Sequence, residues 1–158
     1  MAKKVIKPYS NEIHYKNGNI KFKEYYLNGK YHREGGPAKI GGYINGQTEY
    51  EYYWVNGEPH KEDGPAYTSY SKDGKISSEE YWINGKLHRE NGPATIFYYS
   101  NGEIKLKEYF FNGKRHREDG PAWAICWEDG KIEEEYYLNG EKITDEFKIL
   151  VMKTLEKV

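Results

Sequence analysis

The chain has a single cysteine, Cys126, in 158 residues, so no intrachain disulfide can stabilise it. No stretch approaches the ~20 apolar residues that a membrane-spanning helix needs. Charge of one sign is also lacking. The 24 Lys and Arg are offset by 25 Asp and Glu, leaving a formal net charge of -1 and a pI near 6.5. No overall field therefore draws the chain to long nucleic acid. The phosphate-loop patterns GxxxxGK[ST] and GxGxxG are absent, which assigns the glycines to turns. No secretory apolar segment follows MAKKVIKPYS, and with one thiol this predicts a cytoplasmic protein.

What is present is a repeat. The phrase His-[Lys/Arg]-Glu-x-Gly-Pro-Ala begins at His32, His60, His88 and His116, 28 residues apart, with nothing inserted or lost between copies. Such a period describes one supersecondary unit, stacked on its neighbours. The mean hydropathy is low, -1.03, yet 16% of the residues are aromatic, including 17 Tyr. Tyr buries a ring while its hydroxyl reaches water, which suits a thin structure with its core near the surface.

Two turn series lie between the phrases. One is Asn17-Gly18, Asn45-Gly46, Asp73-Gly74, Asn101-Gly102 and Asp129-Gly130. The other is Asn28-Gly29, Asn56-Gly57, Asn84-Gly85 and Asn112-Gly113, ending at Asn139-Gly140 one residue early. Both series predict type I′ hairpin turns. The segments between them read as strands: Ala38 to Ile44 and Gln47 to Val55, then their equivalents one period on. The N-terminal segment, Tyr9 to Leu27, reads as a further hairpin. The prediction is an all-β array of five stacked antiparallel hairpins over residues 1–140, with a C-terminal α-helical cap over 141–158. Thr144 is the expected N-cap, and Phe147, Leu150, Val151, Thr154 and Leu155 make one helical face.

Tyr25, Tyr53, Tyr81 and Tyr109 are in register, and each is followed by an aromatic: Tyr26, Trp54, Trp82 and Phe110. Alternation along a strand places these two columns on opposite faces. Within the connectors, Gly36, Gly64, Gly92 and Gly120 are expected at positive φ. Each proline after them marks strand entry, and the alanine that follows lets units approach closely.

At this point the chain resembles a MORN-type repeat protein in a divergent, 28-residue form, over about residues 9–140. It is similar to repeat proteins of tailed bacteriophages and some large viruses that carry His-Arg-Glu-Asp-Gly-Pro-Ala phrases. The resemblance implies a β-meander of stacked hairpins used as an interaction surface. A viral origin would imply binding or inhibition of a host protein, in the host cytoplasm.

A stack of near-equivalent units lacks the one asymmetric site an enzyme needs, so no catalytic residue, cofactor or metal site is expected. The expected function is non-enzymatic protein binding. The aromatic column Tyr26, Trp54, Trp82 and Phe110 is the partner-binding candidate, because Tyr and Trp dominate interface hot spots. Trp123 and Trp127 join it, since they replace Thr95 and Tyr99 of the preceding unit. The alternative is a small-ligand or nucleotide sponge built on His32, Arg33, His60, Lys61, His88, Arg89, His116 and Arg117. The bland reading of the histidines is turn stabilisation through a backbone carbonyl. A third reading is a homo-oligomeric scaffold, dimerising through the N-terminal hairpin edge.

Overall fold

The computed structural model describes residues 8–144. The chain begins with β1 (Tyr9–His14), β2 (Ile20–Leu27) and β3 (Lys30–Tyr31), and a four-strand pattern then repeats. Its first two copies are β4 (Lys39–Gly42), β5 (Thr48–Tyr52), β6 (Trp54–Val55) and β7 (Glu58–Pro59), then β8 (Tyr67–Tyr70), β9 (Ile76–Glu80), β10 (Trp82–Ile83) and β11 (Lys86–Leu87). The last two are β12 (Thr95–Tyr98), β13 (Ile104–Glu108), β14 (Phe110–Phe111) and β15 (Lys114–Arg115), then β16 (Trp123–Cys126), β17 (Ile132–Glu135), β18 (Tyr137–Leu138) and β19 (Glu141–Lys142). The longer strands form one antiparallel meander in the order β1-β2-β4-β5-β8-β9-β12-β13-β16-β17, with β3 attached to β2. The other short strands pair as small hairpins, β6 with β7, β10 with β11, β14 with β15 and β18 with β19.

The all-β hairpin array expected from the period is thus present. The helix expected from Thr144 onward lies outside the described residues, and Glu141–Lys142 pairs with Tyr137–Leu138 as a strand.

The two turn series differ, which corrects the uniform type I′ expectation. Asn28, Asn56, Asn84, Asn112 and Asn139 have φ between 48° and 55°, and each is followed by a glycine at positive φ, as type I′ requires. In the other series only the glycine is left-handed. There Tyr43 N–H donates to Gln47 O at 2.8 Å and Gly46 N–H to Tyr43 O at 2.9 Å, a type I turn closed by a glycine bulge. The side chain of the preceding residue completes it: Asn45 Oδ1 accepts from Gln47 N–H, and Asp129 Oδ1 from Lys131 N–H. A short acceptor suffices here, so Asp alternates with Asn, whereas the left-handed series is Asn throughout.

A bulge explains the shortened last unit. The register slips by one residue between β1 and β2, β4 and β5, β8 and β9, and β12 and β13. The extra residues are Lys21, Glu49, Ser77 and Lys105. Between β16 and β17 the register runs without a slip, from Trp123↔Glu135 to Cys126↔Ile132. The residue lost from the 28-residue period is therefore the bulge residue, the one position whose removal leaves every other side chain on its own face.

The core is thin. Ala38, Ala66, Ala94 and Ala122 are each 0% exposed, and among the described residues no large side chain is fully buried. Each of these alanines accepts the N–H of the tyrosine just past the last ladder pair of the neighbouring strand, as in Tyr53 N–H to Ala66 O at 2.7 Å. Neighbouring units are also tied along the turn edge. Tyr15, Tyr43 and Tyr99 each donate a hydroxyl to a backbone carbonyl 27 residues further on, Gly42, Tyr70 and Cys126 respectively. Among the described residues, no helix is long and apolar enough to cross a membrane.

Candidate functional site: an aromatic ladder with one altered rung

The connector residues fold onto the sheet. Arg33, Lys61, Arg89 and Arg117 each place their charged group 3.8–4.1 Å from the ring centroid of Tyr25, Tyr53, Tyr81 or Tyr109. The three arginines also donate from Nη1 to the carbonyl of Pro37, Pro93 or Pro121. This changes the account of the connector glycines. Gly36, Gly64 and Gly120 are not in the left-handed region; Gly92 is, at φ 129°. A Cβ at Gly36 or Gly120 would stand 3.0 Å from the guanidinium carbon of Arg33 or Arg117. Glycine leaves room for the arginine to fold back, and that space is the physical reason for it.

The histidines are used by the backbone as well, through an amide rather than the expected carbonyl. His32, His60, His88 and His116 each accept at Nδ1, at 3.1 Å, the N–H of Asn56, Asn84, Asn112 or Asn139. That fixes the neutral ring's proton on Nε2. Glu34, Glu62 and Glu118 stand 3.8–4.0 Å from Nε2 with side chains at least 85% exposed. Clefts separate successive connectors. One of 560 Å³ is lined by Lys61, Asp63, Tyr81, Ile83, His88 and Arg89; the next, of 710 Å³, by Arg89, Asn91, Tyr109, Phe111, His116 and Arg117. Among the described residues no cluster of three or more His, Cys, Asp or Glu is placed to hold a metal ion.

The opposite face carries the aromatic column. Tyr9, Tyr26, Tyr31, Trp54, Tyr67 and Trp82 follow one another with ring centroids 4.7–5.8 Å apart. Tyr52 and Tyr50 branch from Tyr67 at 4.6 Å steps. The ring of Tyr50 lies over Gly41, where a Cβ would come within 2.2 Å of it. The column changes character further on. Arg115 occupies the position held by Tyr31 in the first unit, and its guanidinium carbon lies 5.8 Å from Phe110 and 5.4 Å from Tyr137.

The polar tips of this column have a regular partner. Glu24 accepts from the hydroxyls of Tyr26 and Tyr31, both at 2.8 Å. Glu80 accepts from the indole N–H of Trp82 at 2.8 Å, Glu108 from Arg115, and Glu135 from Tyr137 at 2.7 Å. Burial alone would raise Glu24, but the two tyrosine hydroxyls and Lys39 outweigh it and hold the carboxyl below its ordinary value. Lys142 first, then Tyr137, lower Glu135 in the same way.

The second unit breaks the rule. Its residue in the glutamate column is Tyr52, and Trp54 Nε1 is the only buried side-chain nitrogen or oxygen without a partner among the described residues. Burial, reinforced by Glu80 and Tyr52, pushes the Tyr67 hydroxyl up. Lys39 lies 5.7 Å from the rings of both Tyr31 and Tyr50. The sequence signal for this rung is its column: the residue two before the aromatic is glutamate at 24, 80, 108 and 135, and tyrosine at 52. The aromatic column alone does not single it out.

Trp123 and Trp127 separate in the structure. Trp123 lies between Glu108 and Glu135 across the sheet, on the ladder face. Trp127 is 43% exposed, where Tyr15, Tyr43 and Tyr99 reach the next unit. Comparison with protein-family models finds no match to the chain, and comparison with the curated proteins finds none.

Proposed function

We propose that the chain is a non-enzymatic protein-binding repeat module, MORN-like in plan, whose contact surface is the ladder face centred on Trp54. A viral accessory protein that binds or inhibits a host protein is its concrete form. The observation that carries this reading is the second rung. An orphaned buried N–H costs about 1–3 kcal/mol; in the next unit a glutamate accepts the equivalent Trp82 N–H, and in the last unit a glutamate accepts the Tyr137 hydroxyl. A rung that departs from its own repeat at that cost, and gathers Tyr50, Tyr52 and Tyr67 in doing so, has the composition of a hot spot. The sponge reading draws less support, because the arginines of the connectors are engaged by tyrosine rings and proline carbonyls.

The test is Tyr52→Glu, which restores the rule of the other units. It removes two ring stacks, each worth about 0.5–1.5 kcal/mol, and satisfies an N–H worth about as much in total. Stability should stay within about 1 kcal/mol of the parent, by urea denaturation. Capture of a stoichiometric protein from host lysate should be lost with Tyr52→Glu and with the Trp54→Ala, Trp82→Ala pair. Undiminished capture by folded Tyr52→Glu removes this rung as the contact.

A further inference from the structure

The chain contains nine Asn-Gly pairs, at Asn17, Asn28, Asn45, Asn56, Asn84, Asn91, Asn101, Asn112 and Asn139. Asn-Gly is the pair most open to intramolecular attack on the asparagine side chain, because glycine adds no bulk around the attacking nitrogen. The structure treats these nine unequally.

Four of them sit in left-handed turns locked to the unit before. The N–H groups of Asn56, Asn84, Asn112 and Asn139 are held by His32, His60, His88 and His116. The following glycine amides are held too: Gly57 by Tyr31 O, Gly85 by Pro59 O, Gly113 by Leu87 O and Gly140 by Arg115 O, at 2.8–3.0 Å. In three more, Gly18, Gly46 and Gly102 donate to Tyr15, Tyr43 and Tyr99, at 2.9–3.0 Å. The asparagine carboxamides there are engaged as well, with Asn17 bonded to Ile44 O, Asn45 to Lys72 O and Asn101 to Glu103.

Two remain. The Asn28-Gly29 turn has the same left-handed geometry as its four equivalents, φ 55° and 73°. Among the described residues it has neither lock, and the residue 28 positions before His32 is Lys4 rather than histidine. Asn91-Gly92 lies in the third connector, exposed at Asn91, and no bond to the Gly92 amide occurs among the described residues. The Arg89 guanidinium stands 3.3 Å from where a Gly92 Cβ would be.

We propose that Asn28 and Asn91 are the sites of spontaneous modification by succinimide formation, and that the other seven pairs are protected by the fold. The glycine amide nitrogen, having given its proton to solvent base, attacks Cγ of the asparagine. A C–N bond closes the ring, and the side-chain nitrogen leaves as ammonia with a proton from water. Hydrolysis of the ring at either carbonyl then yields aspartate or isoaspartate. At position 91 the aspartate product matches the residue found in the neighbouring connectors, Asp63 and Asp119. At position 28 the isoaspartate product adds a backbone carbon to a two-residue turn and cannot keep the Leu27↔Lys30 register.

Asn28, Asn84 and Asn112 share the local sequence Asn-Gly-Lys, and their rates in denaturant calibrate the effect of the differing residues Leu27, Ile83 and Phe111 before them. The full chain is incubated in mildly alkaline buffer and mapped by peptide mass spectrometry. Asn28 should convert faster than Asn84 and Asn112 by roughly 2- to 10-fold for each lock it lacks, the factor that one net hydrogen bond represents. Asn91 should convert beside it. In denaturant the three Asn-Gly-Lys sites should react alike. His88→Ala removes one lock from Asn112 and should raise conversion there while Asn84, locked by His60, reports that the array is still folded. Equal native rates at Asn28, Asn84 and Asn112, or an Asn112 rate unmoved by His88→Ala, would overturn the proposal.

Discussion

At the scale of the residue, the connector histidine works as a fastener between units. Its Nδ1 holds the backbone of the next unit's turn, and the arginine beside it stands over a tyrosine ring of its own unit. Removing one such acceptor at an exposed turn should cost about 0.5–1.5 kcal/mol. The four backbone bonds are separate, so the costs of His32→Ala and His60→Ala should add in urea denaturation, whereas the rings of His88 and His116 both contact Phe111 and their double variant should depart from the sum. A single histidine that dominated would point instead to a specialised site. Gly41 allows a sharper test. A methyl there meets the Tyr50 ring, so Gly41→Ala should destabilise by about 1–3 kcal/mol. Gly41→Ser combined with Tyr50→Ser reproduces the Ser69↔Ser78 pair of the next unit and should recover most of that loss.

At the scale of the element, the bulge is the tolerant position of each hairpin. Deleting Lys105 should convert the β12–β13 hairpin into the form that β16 and β17 already adopt, with a modest loss in thermal stability. Deleting Lys107 leaves Leu106 opposite Ile96, on the wrong face, even when the bulge is given up to restore the register before it, and should cost more thermal stability than deleting Lys105. The hairpins themselves were legible in the sequence because Asn-Gly and Asp-Gly are local signals, each explained within a few residues. The distinction between the two turn types rests on a weaker signal, since one series tolerates Asp and the other is Asn throughout. The roles of the histidines and glycines were hidden for a different reason. Their partners lie in the adjacent unit or on a folded-back side chain, and a period of 28 gives spacing without contact. The altered rung at Tyr52 was visible as a substitution in a column, but its meaning needed the neighbouring glutamates to be seen accepting bonds.

At the scale of the whole molecule, two carboxyls of the glutamate column contribute to the response to acid. Glu24 and Glu135 are held below the ordinary carboxyl value of 4.5. Groups lowered in the folded state contribute stability that is complete above the unfolded value and lost as pH falls through the folded one. Thermal midpoints should therefore be level from neutrality down to about the ordinary glutamate range and then decline. Glu24→Gln together with Glu135→Gln should lower the neutral plateau and flatten that decline. The meander has a further, mechanical consequence. Its ladder bonds run perpendicular to the strands, hence along the row of units, and each strand is bonded only to those beside it. A chain pulled apart at β1 and β17 would load those bonds one after another instead of all at once. Under tension the array should peel strand by strand at low force, giving way by increments much as a zip does, and it should reseat in the same order when the load is removed.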